Sequence, residues 1–261
     1  MTRRHELAWC LLGPDLLHPN PLPLLSGLAD WVSSCPDALL NEHFATLPEQ
    51  LGRRFERHWA WILGSQPAYT VHATDFQIVS EGRTLGAPDL LLSCDGESWH
   101  VELAVKFYLC RPDKDGLTCA DWIGPRGNDR LDRKLNRLQE HQLPLLQRPS
   151  VQRWLIARNL PIPTRQAVVL KGMLFSHWQQ PTDGPGRCRP VGWWCRVGEL
   201  CEALPGARIL DRRMWLGDTE TAPYRCGASL VSAVEDAIRV SGPVQLESEH
   251  SRWFVVPNDW P

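Results

Sequence analysis

GAPDLLLSCDGESWHVELAVKFYL, residues 86–109, consists of two apolar runs joined by Asp95-Gly96, with Asp89, Glu102 and Lys106 set inside them. Asp-Gly between such runs marks a two-residue hairpin turn, because both central positions of a type I′ turn need positive φ. With Asp95 and Gly96 at the turn, Cys94 faces Glu97, Leu92 faces Trp99, Leu90 faces Val101 and Asp89 faces Glu102. Directly opposed side chains on antiparallel strands stand about 4.5–5.5 Å apart at Cβ. Two carboxylates so placed repel unless one is protonated or a cation lies between them.

Alternation along the second strand divides its residues between two faces. Trp99, Val101, Leu103, Val105 and Phe107 form an apolar face, and His100, Glu102, Ala104, Lys106 and Tyr108 form the other. Asp89, Glu102 and Lys106 therefore share one side, with only the small Ala104 between the last two. His100 is the histidine that this register sets beside them. Two hard carboxylates suit a Mg²⁺ or Mn²⁺ ion, which acidifies water and neutralises phosphate charge, and a lysine nearby can orient the nucleophile. The plain alternative is an exposed strand face carrying an ordinary Glu-Lys attraction.

The rest of the chain sets limits on that chemistry. With 261 residues and a formal net charge of -2, nucleic acid would have to be met by a local basic patch. The opening MTRRHELAWCLLGPDLL is too weakly apolar for a signal peptide, and no run approaches the roughly 20 apolar residues of a membrane span. A soluble, cytoplasmic protein is expected. The nine cysteines include no CxxC pair, and Cys188, Cys195, Cys201 and Cys226 match no common zinc spacing. Reduced, mostly buried thiols are expected instead. There is no P-loop, G-x-S-x-G or dinucleotide fingerprint.

Three parts are anticipated: a helical extension over 1–48 with Pro-rich breaks (PDLLHPNPLP), a core over 49–179, and a Trp-rich subdomain over 180–261. Within the core, LPEQLGRRFERHWAWILG reads as a helix on the spacing of Leu51, Phe55, Trp59 and Ile62, ending near Gly64. YTVHATDFQIV reads as a strand, NDRLDRKLNRLQEHQL as a second helix capped by Asn128 with Leu131, Leu135 and Leu138 buried, and QAVVLKGMLF as a further strand. In the last third, indoles are expected to fill a small core and find one hydrogen bond each.

Pro88-Asp89 followed by a strand bearing Glu102 and Lys106 resembles the PD-(D/E)XK nuclease superfamily. More narrowly, LLGPDLL, LGRRFE, TLGAPDLLL, HVELAVKFYL, IGPRGNDRLDRKL, LKGMLF and RWFVVPNDWP resemble the bacterial family called domain of unknown function 1853. The superfamily implies an α/β fold whose mixed central sheet is flanked by helices, in the order helix, three strands, helix, strand. It also implies a metal-dependent nuclease in which Asp89 and Glu102 bind Mg²⁺ or Mn²⁺, Glu56 on the first helix assists, and Lys106 acts on the attacking water. Glu56 is flanked at i−4 and i+4 by Gly52 and Ala60, which would let its face approach the sheet.

The usual motif has its second acid two residues before the lysine, where this chain has Ala104. Glu102 lies one repeat further back, about 13 Å from Lys106 along an ideal strand. A catalytically degenerate nuclease-fold protein that binds nucleic acid or another partner is the alternative. Arg130, Lys134, Arg137 and His141 form a row at i, i+4, i+7 and i+11 on the second helix, suited to gripping phosphates or else merely solvated.

Overall fold

The structure is a computed structural model and describes residues 3–16, 27–80, 82–217, 223–249 and 251–261. The Pro-rich stretch PDLLHPNPLP lies mostly outside the described residues. Its helices are α1 (Arg3–Leu12), α2 (Leu28–Ser34), α3 (Asp37–Ala45), α4 (Leu51–Gly64), α5 (Leu131–Arg137), α6 (Pro149–Ile156), α7 (Leu200–Ala203) and α8 (Gly227–Ser241). The first seven strands are β1 (Tyr69–Thr74), β2 (Ile78–Ser80), β3 (Arg83–Gly86), β4 (Leu90–Cys94), β5 (Glu97–Cys110), β6 (Trp122–Ile123) and β7 (Arg165–His177). They are followed by β8 (Gly192–Arg196), β9 (Gly206–Leu210), β10 (Tyr224–Cys226), β11 (Val244–Glu247) and β12 (Arg252–Val256). The fold is mixed α/β, with helices flanking mixed β-sheet.

The chain forms two compact units that interleave in sequence. One comprises Cys10–Val105 and Leu135–Lys171, the other Met1–Trp9, Lys106–Lys134 and Gly172–Pro261. The physical reason lies in strand length: β5 and β7 run for 14 and 13 residues, so each contributes to both units.

In the first unit β4 pairs antiparallel with β1 on one side and β5 on the other, and β5 neighbours β7. The hairpin takes the expected register, Leu90 against Val101 through Cys94 against Glu97. Asp95 and Gly96 adopt φ of 51° and 76°, the left-handed pair that a type I′ turn requires. Helix α4 has the expected bounds and buries Phe55, Trp59, Ile62 and Leu63 on one stripe, because those positions recur at helical spacing. It packs against β1.

YTVHATDFQIV is not one strand. Asp75 sits at φ 44°, a left-handed position that aspartate tolerates, and the chain turns there, so Ile78–Ser80 pairs with Arg83–Gly86 in a separate two-stranded sheet. The backbone N–H of Asp75 bonds instead to Asp89 O (2.9 Å) and that of Phe76 to Pro88 O (3.3 Å).

The second expected helix is also interrupted. Helix α5 begins at Leu131 rather than at an Asn128 cap, and it passes into a π-helical turn at Leu138–Gln142 and a 3-10 turn at Leu143–Gln147. Leu131 and Leu138 are buried, and Leu135 is half-buried. The wider π turn shifts the phase of every later side chain. Leu145 and Leu146 then pack with Ile78, Leu91, Val151 and Leu155 in one apolar cluster that seats α6. Gly86 permits this: a Cβ there would stand 2.5 Å from Leu145 Cδ2.

In the second unit β8 pairs parallel with both β7 and β12. β11 joins β12 and β9 antiparallel, and β10 forms the edge beside β9. Its core contains Cys195, Leu200, Leu230, Val234, Leu246 and Val255, with Trp193 and Trp178 packed on it. The indoles do fill volume, but they do not each find a partner. Trp253 Nε1 donates to Ser251 Oγ (2.8 Å) and Trp260 Nε1 to Pro125 O (2.7 Å), whereas the buried Nε1 atoms of Trp178, Trp194 and Trp215 have no hydrogen-bond partner among the described residues. Trp215 packs edge-on against Phe107 and Phe254.

Candidate functional site

The motif residues fall into two groups. Glu56, Asp89, His100, Glu102 and Arg137 belong to the first unit, and Lys106, Arg130 and Lys134 to the second.

One residue beyond the last paired position of the hairpin, Asp89 follows the buried Pro88 and is itself half-buried. Its Oδ2 accepts the backbone N–H of Leu103 at 2.8 Å. The carboxylate thus satisfies a strand donor next to where β4 begins, a role that polar side chains commonly take at the ends of regular elements. Glu102 is 1% exposed. Its Oε1 lies 2.8 Å from His100 Nε2, and its Oε2 accepts from Gln142 Nε2. A carboxylate buried this deeply needs such donors, because unpaired burial costs several kcal/mol, roughly 2–7 even for a neutral polar group. The buried His100 Nδ1 has no hydrogen-bond partner among the described residues.

Gln142 was not singled out from the sequence. The π turn brings it to Glu102, and Gly86 seats the following turn through Leu145. A regular helix would have given it another phase, so no helical spacing could reveal it.

Glu56 is half-buried on α4, off the apolar stripe. The close approach anticipated at Gly52 is not found: that glycine is exposed and a Cβ there would meet nothing within 4 Å.

In the second unit, Lys106 Nζ donates to Asp129 Oδ2 at 2.6 Å, with about a third of each side chain exposed. Tyr108 OH reaches the same oxygen at 3.4 Å, and Asp129 Oδ1 accepts the Arg130 backbone N–H at 2.9 Å. Burial first, then the Asp129 charge, raises the Tyr108 phenol well above its ordinary range. Asp129 is a second residue that the sequence reading missed; it lies in a turn before α5, and only tertiary folding takes it to Lys106.

The cationic row does not form as a single helical stripe. Arg130 precedes α5 and is held in a two-point ion pair by Asp132, Nε to Oδ1 at 2.6 Å and Nη2 to Oδ2 at 2.7 Å. The Arg130 hydrogen bonds draw Asp132 below the usual carboxylate range. Lys134 is half-buried on α5, Arg137 is exposed at its end, and His141 is exposed on the π turn with its phase displaced.

A different basic feature emerges in the first unit. No Asp or Glu occurs over residues 141–182, which contain Arg148, Arg153, Arg158, Arg165 and Lys171. Lys171 is consumed internally, buried against Asp15 (3.0 Å) and Gly13 O (2.9 Å). Arg165 faces Glu97 at 3.4 Å. Arg148, Arg153 and Arg158 are exposed around α6, and among the described residues none has an acidic partner within ion-pair distance. Val151 and Leu155 bury the opposite side of that helix.

The arrangement can attract anions around α6. Both Glu102 oxygens and Asp89 Oδ2 accept hydrogen bonds from the protein's own donors. Among the described residues no three His, Cys, Asp or Glu side chains form a group that could hold a metal ion. No cysteine among the described residues forms a disulfide. No helix among the described residues is long and apolar enough to cross a membrane.

Fold and site define a mixed α/β protein with a carboxylate-bearing hairpin and an acid-free basic segment. The family model for domain of unknown function (DUF1853) matches residues 5–256, and the chain belongs to that family. Neither a curated protein nor a solved structure matched it.

Proposed function

We propose that this chain is a nucleic-acid-binding protein on a core resembling the PD-(D/E)XK nucleases, and that it grips the phosphodiester backbone through the basic surface around α6. The acid-free run over 141–182 carries the reading, because it places the exposed Arg148, Arg153 and Arg158 on and beside one helix of a chain whose formal net charge is -2. Such cations release counterions when they meet phosphates, which favours binding without reading bases. The hydrogen-bonded state of Asp89 and Glu102 supports binding over hydrolysis, since their own donors already stabilise them.

Hydrolysis with Mg²⁺ or Mn²⁺ is the second reading. The hairpin register supports it, because the pairing of Leu90 with Val101, extended by one step, would set Asp89 across from Glu102. It requires Glu102 to exchange the Gln142 and His100 donors for an ion.

Anisotropy titrations with labelled oligonucleotides in EDTA, Mg²⁺ and Mn²⁺, followed by gels of the recovered strands, test both readings. Binding in EDTA with intact strands in every buffer is expected. Absence of binding refutes the proposal, and cleavage that vanishes in Lys106→Ala establishes the second reading in its place.

A further inference from the structure

Resting on the nucleic-acid reading above, we propose that Arg158, held over the ring of Trp154, is a base-stacking platform that makes the protein prefer single-stranded over duplex nucleic acid.

The platform is built from the helix end upward. Leu160 N–H bonds to Leu155 O and Asn159 N–H to Ile156 O, each at 3.0 Å, and Asn159 takes a left-handed φ of 54°. That pattern is a Schellman closure of α6, and it fixes the backbone of Arg158 immediately before the left-handed residue. Leu160 packs into the cluster formed by Leu145, Val151 and Leu155, which anchors the closure to the core.

From this fixed stem the Arg158 guanidinium carbon stands 3.9 Å from the centroid of the Trp154 ring, and Nη1 reaches back to Trp154 O at 3.4 Å. The indole is itself supported by Phe76, with centroids 6.3 Å apart and planes at 22°. Trp154 Nε1 is buried. The Trp154 indole therefore contacts both the Phe76 phenyl and the Arg158 guanidinium.

The chemistry of the exposed end selects a ligand. Arg158 is exposed and has no acidic partner within ion-pair distance among the described residues, so its charge is not consumed internally. A planar cation whose rotamer is already restrained loses little further entropy when a base lies on it. Ile156 beside it is 60% exposed, an apolar neighbour for a sugar or base edge. Arg148 and Arg153 provide flanking positive charge for phosphates. Base faces are available only in single strands or splayed loops; in a duplex they are stacked on one another, leaving the protein mainly phosphates.

The test compares wild type, Arg158→Ala and Arg158→Lys by anisotropy with single-stranded and duplex oligonucleotides of matched length and salt. Circular dichroism establishes that each variant is folded. Wild type is expected to favour the single strand, and Arg158→Ala to lower that affinity about tenfold. Arg158→Lys keeps the charge but loses the plane, so it should erase the single-strand preference while leaving duplex affinity within about twofold. Equal wild-type affinity for both forms, or a preference that survives Arg158→Lys, overturns the platform while leaving nucleic-acid binding intact. Binding of neither form overturns both.

Discussion

Replacing Gln142 by leucine removes the donor to Glu102 Oε2 while retaining similar bulk in the π turn. Glu102 is 1% exposed, so water cannot readily replace that donor, and His100 at 2.8 Å on Oε1 is the partner that remains. A hydrogen bond to a charged buried group contributes about 1.5–3 kcal/mol, and leaving the oxygen unpaired forfeits that contribution. Taking about 2 kcal/mol, and a shift of roughly 2–4 °C per kcal/mol for a chain of this size, Gln142→Leu should lower Tm by about 4–8 °C. Urea unfolding of the four members of a cycle with Glu102→Gln measures the coupling directly. The two side chains should show an interaction energy of at least about 1 kcal/mol. A loss below about 0.5 kcal/mol, or additive single mutants, would refute the view that Gln142 holds a buried carboxylate.

Other expectations follow from particular contacts. Gly86→Ala drives a methyl group into Leu145 and should cost about 1–3 kcal/mol in denaturant unfolding; an unchanged midpoint would mean the turn yields freely. Arg153→Ala should lessen the salt slope of single-strand binding by about 0.7 in log–log form, and an unaltered slope removes that residue from the phosphate contacts. The Thr164 hydroxyl, then Arg165, holds Glu97 below the usual carboxylate range. Its contribution to stability is therefore present above ordinary glutamate titration and lost as pH falls through the lower folded value. Thr164→Val should raise the Glu97 titration midpoint in carboxyl NMR. Burial pushes the Cys195 thiol, near Glu199, and the Cys110 thiol, near Asp121, up to about 12. At pH 8 a thiol reagent should label exposed Cys201 and Cys226 first, and those two buried thiols only after unfolding.

Local chemistry made the hairpin readable: Asp95-Gly96 dictates the turn, and the turn dictates every pairing from Leu90 to Val101. Helix α4 was equally plain, since its apolar stripe agrees with its length and its end at Gly64. Elsewhere local signals competed. Asp75 could continue a strand or turn, and hydrogen bonds to the Pro88 and Asp89 carbonyls favour the turn. The partners of the motif residues were hidden for a different reason. Asp129 meets Lys106 only through the tertiary fold, and Gln142 meets Glu102 only because a π turn breaks helical phase. Reasoning from a regular helix placed Arg130 in a phosphate-binding row, whereas it pairs with Asp132 before the helix starts. The acid-free run over 141–182 was present in the sequence, but the near-balanced net charge concealed it.

Hydrogen exchange read by mass spectrometry, with and without a saturating single-stranded oligonucleotide, tests the basic surface most directly. Binding through α6 predicts slowed exchange in peptides covering residues 145–160. Protection confined to other segments, or unchanged exchange throughout despite bound oligonucleotide, would contradict it.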